Sequence, residues 1–161
     1  MADNGRSVPM GTVLHIYVAA HRGAPMQRLD AVTALEDQGL VGDRYIAASN
    51  RRSPDYQITL IQAEHIEDFS SEHAIAFTPD MPRRNIVTRG TSLNDLRGKR
   101  FRVGNVLLEG LKLCEPCALF AKRTDRAVLR FFPRKGGLRA RIVAGGQIRV
   151  GDAIIAEKAP D

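Results

Sequence analysis

Both cysteines of the 161-residue chain fall in one short stretch, Leu111-Lys112-Leu113-Cys114-Glu115-Pro116-Cys117. The apolar run Val106 to Leu113 reads as a strand, and Ala118 to Arg123 reads as the first turns of a helix. Two sulfurs therefore stand at a strand-to-helix junction, where unpaired helix N-terminal amides favour negative charge and thiolate chemistry. Pro116, with φ preset near the helical value, suits the entry to that helix. Four readings fit the pair. A redox dithiol would cycle with a disulfide, but the sequence does not show the βαβ setting usual for one. Half of a zinc site would need a second Cys or His pair at ligand spacing, and none follows. A single reactive thiolate, with the second cysteine as support, could ligate a thiophilic metal or carry a persulfide sulfur. Two buried structural cysteines are the reading without chemistry.

Arginine supplies the other candidate groups. Arg83-Arg84-Asn85 follows the turn Thr78-Pro79-Asp80-Met81-Pro82 and offers two guanidiniums and an amide to an anion. If the chain is extended there, Arg83 and Asn85 share one face and form one contact set. Arg139 and Arg141 alternate with Leu138, Ala140 and Ile142, so the two arginines share the other face of a strand. The glycine pairs Gly136-Gly137 and Gly145-Gly146 would let a ligand approach the backbone closely. In Gly42-Asp43-Arg44, Asp43 caps a turn or pairs with an arginine. His15, His21, His65 and His73 have no metal-ligand spacing and read as surface or packing residues. Neither a phosphate loop nor a dinucleotide fingerprint is present.

These groups need a scaffold, and the sequence predicts one that is mainly β with a few helices. Strands are expected at Gly11 to Ala20, Ala31 to Leu35, Gln57 to Ile61, Asn85 to Thr88, Phe101 to Val103, Val106 to Leu113, Leu138 to Ala144, Gln147 to Val150 and Ala153 to Ala156. Glycine turns separate many of them, which argues for a closed β architecture. A short amphipathic helix is expected over Gln62 to Ser70 and another over Ala118 to Phe132. The second breaks near Arg123-Thr124, where Thr124 or Asp125 would cap a new piece. Gly39 to Tyr45 reads as a turn, Asn50 to Asp55 as a mobile loop, 1–10 as a leader and 157–161 as a tail.

The bulk properties bound the function. The length suggests one domain with a real core. No apolar run approaches a membrane span, and the N-terminus lacks a signal-peptide core, so the expectation is a cytoplasmic protein with reduced thiols. Lys and Arg number 24 against 18 acidic residues, a net charge of +6. That excess suits phosphate, carboxylate or nucleic acid. Nucleic acid is disfavoured because aromatic residues make up only 6%, Trp is absent and no recognition motif appears.

Taken in order, several segments resemble the MOSC domain, named for the C-terminal part of molybdenum cofactor sulfurases, and most of all its small stand-alone members. They are Gly39-Leu40-Val41-Gly42-Asp43-Arg44, Arg83-Arg84-Asn85-Ile86-Val87, Leu93-Asn94-Asp95-Leu96-Arg97-Gly98, Cys114-Glu115-Pro116-Cys117, Gly136-Gly137-Leu138-Arg139-Ala140 and Gly151-Asp152. The resemblance covers residues 11–156. It implies a MOSC-type β-barrel and the molybdenum cofactor (molybdopterin), a phosphate-bearing pterin with dithiolene-bound molybdenum. Its implied chemistry is reduction of N-oxygenated substrates or transfer of sulfur held as a cysteine persulfide. Pyridoxal phosphate binding is also associated with the family. Cys117 would be the reactive cysteine and metal ligand; Cys114, an addition relative to the one-cysteine members, would either resolve a persulfide or sulfenate on Cys117 or only pack. Arg83 and Asn85 match the family's Arg-x-Asn cofactor element, and Arg84, Arg139, Arg44 and Asp43 complete the implied cofactor-binding set. A small-molecule substrate and a redox partner or cysteine desulfurase are the implied partners. Tyr45 stands where the family often has His, so no role for that His carries over. The alternative, from a different class, is a non-catalytic barrel that binds an anion or partner and has structural cysteines.

Overall fold

The computed structural model describes residues 9–46 and 53–157. The leader up to residue 8, the first part of the expected loop (50–52) and the tail from 158 lie outside the described residues. Eleven strands and three α-helices are described. The strands are β1 (Gly11–Val18), β2 (Gln27–Leu29), β3 (Ala31–Leu35), β4 (Gly39–Leu40), β5 (Ile58–Gln62), β6 (Ile86–Arg89), β7 (Arg100–Val103), β8 (Val106–Leu113), β9 (Leu138–Ala144), β10 (Gly146–Arg149) and β11 (Ala153–Ala156). The helices are α1 (Ala63–His73), α2 (Ala118–Arg123) and α3 (Val128–Phe131).

Seven strands close into a barrel in the order β11-β7-β8-β9-β5-β6-β1, and β1 returns to β11 through Gly11↔Ile154 and Thr12↔Ala153. Closure removes the open sheet edges that invite aggregation. The C-terminal half of β1 carries β2 on its outer edge, and β10-β3-β4 form a separate three-stranded sheet. Met10, expected in the leader, is tied into the barrel, with its amide donating to Ile154 O at 2.7 Å.

The strands next to α1 read as continuous apolar runs because both of their faces are covered. Ile16, Leu60 and Ile86 point into the barrel with Phe101, Leu108 and Ile142. Their neighbours Tyr17, Ile61 and Val87 point outward under the helices. There they meet Phe69, Phe77, Phe120, Phe131 and Phe132, five of the six phenylalanines of the chain. The β5–α1–β6 connection joins two parallel strands, so a βαβ unit is present after all, although the cysteines lie elsewhere. The expected helix over Ala118 to Phe132 breaks at Thr124, where Asp125 Oδ1 accepts from the Ala127 amide at 2.8 Å and turns the chain into α3.

Candidate functional site

The cysteine segment is held by backbone pairing on one side and a carboxylate on the other. Strand β8 ends at Leu113, and the Cys114 amide then donates to Gly137 O at 2.8 Å. The Glu115 carboxylate accepts from the Arg134 amide at 3.1 Å. Cys117, with extended backbone, immediately precedes α2, and its carbonyl accepts from the Ala121 amide. The two thiols, both free, differ in access. Cys117 is exposed, whereas Cys114 is 1% exposed. Cys117 lines a cleft of about 370 Å³, and Cys114 is not among the lining residues. The structure thus separates the pair that the sequence placed together.

Six arginines line this cleft: Arg22, Arg44, Arg83, Arg84, Arg123 and Arg139. Among the described residues no acidic side chain does. Arg44, Arg84 and Arg139 are positioned by protein acceptors. Arg44 Nη1 donates to Asp43 Oδ1 at 3.1 Å, and its Nη2 reaches Arg83 O at 3.4 Å. Arg84 Nε donates to Gly136 O and its Nη1 to Pro82 O, both at 2.9 Å. Arg139 Nη1 reaches Asp55 O at 3.4 Å. Tyrosines support two of these planes. The guanidinium carbon of Arg44 lies 4.5 Å from the Tyr45 ring centre, and that of Arg139 lies 5.1 Å from Tyr56.

Arg83 is different. Its Nη2 is buried without a hydrogen-bond partner in the described structure. Burial lowers its proton affinity first, and the positive charges of Arg44 and Arg123 lower it further. A buried guanidinium donor without an acceptor is costly, and its natural complement is an anion.

Two sequence expectations are corrected here. Arg83 has φ +59°, a left-handed conformation, so strand alternation does not run through Arg83-Arg84-Asn85. Arg83 and Arg84 consequently both line the cleft, while Asn85 turns inward. Asn85 Oδ1 accepts from Thr59 N and Oγ1, and its Nδ2 donates to Tyr17 O. Its polar groups are used in joining β1 to β5, not in the cleft. The glycines before β9 make room for the chain itself. A Cβ on Gly136 would stand 2.1 Å from Cys114 O, and one on Gly137 would stand 2.0 Å from Leu60 O.

Asp43, 3% exposed, lies behind the cleft wall, where its Oδ1 also accepts from the Ala19 amide at 3.0 Å. Its place in the site is to hold Arg44. Arg141 turns away to Glu109 and Asp37. Sequence reasoning passed over Arg22, Arg123, Tyr56 and Phe120. Helical spacing carried a signal for two of them, since Arg123 falls three residues after Phe120 and four after Leu119, on one face of α2.

Among the described residues, no cluster of three or more His, Cys, Asp or Glu side chains could hold a metal ion. A metal here would arrive with most of its own ligands, with Cys117 the one lining thiol able to add to them. The six arginines, the partnerless Nη2 of Arg83 and the exposed Cys117 fit a phosphate-bearing, thiophilic metal cofactor. No described lysine lines the cleft, so it offers no amine to pyridoxal phosphate. No described helix is long and apolar enough to cross a membrane.

Comparison with known proteins agrees with the fold. The family model described as MOSC domain matches residues 47–155. No curated protein matches the chain. The YuaD protein from Bacillus subtilis has a similar structure, with a TM-score of 0.76 and 16% identity over 92% of this chain and 97% of that one. YiiM from Geobacillus stearothermophilus gives 0.72 and 16% over 92% and 75% of the two chains. YiiM from Escherichia coli gives 0.69 and 18% over 94% and 72%.

Proposed function

The chain belongs to the MOSC domain family, and we propose that its arginine cleft binds the molybdenum cofactor, with the Cys117 thiolate as the reactive group at the bound metal. The observation that carries this reading is the buried Nη2 of Arg83, without a hydrogen-bond partner among the described residues, set among five further arginines in a cleft that also exposes Cys117. Arg83, Arg44 and Arg123 would bind the pterin phosphate through charge-assisted hydrogen bonds. Arg84 and Arg139, held by carbonyls, would orient what lies beside it. Leu119 and Phe120 line the cleft with apolar surface and limit water. When bound, the cofactor supplies two-electron oxygen-atom chemistry, which suits reduction of an N-oxygenated substrate. The electrons would come from a redox partner, in the cytoplasm.

A second reading has Cys117 carrying sulfur as a persulfide received from a cysteine desulfurase. Its support is the exposure of Cys117. An exposed thiol can be reached by a donor protein, as thiol chemistry of this kind requires.

Purification from a host that makes the cofactor tests both. Molybdenum and oxidised-pterin fluorescence near one per chain are expected for the wild type. Arg83→Ala should lose both, and Cys117→Ser should keep the pterin but lose molybdenum or the thiol-dependent activity. Wild-type protein without either component overturns the cofactor reading. A mass gain of one sulfur atom on Cys117 would then favour the carrier.

A further inference from the structure

Five of the six arginines of the cleft fall into two groups, and the exposed Arg22 belongs to neither. The first group surrounds the partnerless Arg83 Nη2. Arg44 reaches Arg83 O from one side, and Arg123 is near enough for its charge to act on Arg83. The second group is rooted on the segment leading into β9. Arg84 is bonded to Gly136 O, and Arg139 lies three residues beyond that glycine. Tyr45 and Tyr56 stand between Arg44 of the first group and Arg139 of the second. Arg44 covers Tyr45, the two ring centres are 5.5 Å apart, and Arg139 covers Tyr56.

The charge balance asks for more than one anion. Asp43 offsets Arg44 from behind, and no described acidic side chain lines the cleft. One phosphate monoester carries about −1.5 to −2 near neutral pH. It would answer the Arg83 group and leave Arg84 and Arg139 facing the cleft as unmatched cations.

We propose that the cleft holds two anionic groups at once, one at Arg44, Arg83 and Arg123 and the other at Arg84 and Arg139, with Tyr45 and Tyr56 between Arg44 and Arg139. The inference deepens the cofactor reading, resting on it only for the identity of the first anion. The second anion is a phosphate or carboxylate. It belongs either to an anionic substrate or to the far end of the ligand that fills the first group.

Calorimetric titration of the full chain, free of cofactor, with inorganic phosphate at low ionic strength tests this. Two phosphates per chain are expected. Arg83→Ala should weaken one site at least tenfold and spare the other. Arg139→Ala should do the reverse, and Arg139→Lys, which keeps the charge but loses the planar fork, should weaken the second site alone. Arg89→Ala, on the exposed barrel surface where Arg89 pairs with Glu67, should leave both sites intact. Thermal melts establish that each variant is folded. One phosphate per chain, or a single site lost to either substitution, overturns the inference. So does a loss shared equally by Arg89→Ala, which would mark diffuse attraction to a basic surface.

Repeating the titration on cofactor-loaded protein distinguishes the sources. One remaining phosphate site assigns the second anion to a separate anionic substrate, and none remaining assigns both anions to one ligand. Two remaining sites would put the cofactor outside the cleft and overturn the cofactor reading while the two-anion cleft stands. Cofactor loading with a single phosphate site in the free protein would do the opposite.

Discussion

At the scale of single residues, two side chains separated by one position do opposite things. Among the described residues the buried Nη2 of Arg83 has no acceptor, so it adds binding capacity and costs stability. Asn85 places its carbonyl and amide on Thr59 and Tyr17, so it adds stability and touches nothing in the cleft. A crossed pattern follows. Asn85→Ala leaves the buried Thr59 amide and the Tyr17 carbonyl unpaired, at about 1–3 kcal/mol for each group. A loss of roughly 3 kcal/mol in urea denaturation is expected, with phosphate affinity in the cleft unchanged. Arg83→Ala should weaken the one phosphate site that Arg83 lines and leave stability unchanged or slightly higher, because it removes a half-buried cation beside Arg44 and Arg123. Equal loss of both properties in Asn85→Ala would return that residue to the binding set. The sequence could show that Arg83, Arg84 and Asn85 were an unusual group. It could not show their directions, because a single left-handed residue at Arg83 reverses the alternation from which directions are read.

At the scale of elements, the cleft depends on how closely β9 enters between its neighbours. The start of β9 pairs with both β8 and β5, through Leu113↔Leu138 and Leu60↔Leu138. The chain reaches that point through Gly137, which has φ +110° and lies against Leu60 O. A side chain there is strained by its backbone conformation and blocked by a carbonyl that belongs to a barrel strand. Gly137→Ala should therefore cost more than 2 kcal/mol, above the ~1 kcal/mol typical of a strained glycine site alone. Gly98→Ala is the control, because Gly98 also has positive φ (+75°) but nothing lies within 4 Å of the added Cβ. Equal melting temperatures for the two variants would show that the close approach carries no energy. Strands and helix breaks were legible because they depend on local pattern: alternation in β9, the apolar run of β8, and the Thr124-Asp125 interruption. The glycine pair was legible as a place of close approach, but not its occupant. The occupant is another strand 77 positions upstream (Leu60 against Gly137), and a pairing of that range leaves no local trace. Strands β2 and β4 were missed because three and two residues are too few to show a period.

At the scale of the whole molecule, closure of the barrel puts ionisable groups into places that set how stability responds to acid. Burial lowers the pKa of His15 below 6.5, and Arg28 lowers it further. His65 is also held below 6.5, with burial the main cause; Lys135 adds to it by charge and opposes it by a backbone hydrogen bond, while Asp68 and Glu64 oppose it by charge. Both imidazoles thus bind a proton more weakly in the folded chain than in the unfolded one. As pH falls through 6.5 the unfolded state takes up protons first, so stability declines, and the decline levels off once the folded sites also protonate. Asp55 acts lower on the scale. Burial alone would raise its pKa, but hydrogen bonds from Lys112 and Ser53 and the Lys112 charge bring it below 3.8. Its contribution is present above that value and is lost as pH falls through the folded pKa. Chemical denaturation across pH should therefore show two descents, one beginning near 6.5 and one below 3.8. The double variant His15→Gln with His65→Gln should flatten the first descent and keep the second, and Asp55→Asn should do the reverse. A wild-type stability that is constant between pH 7.5 and 5 would mean that neither histidine gives up proton affinity on folding, contrary to the partial burial of His15 on β1 and His65 on α1.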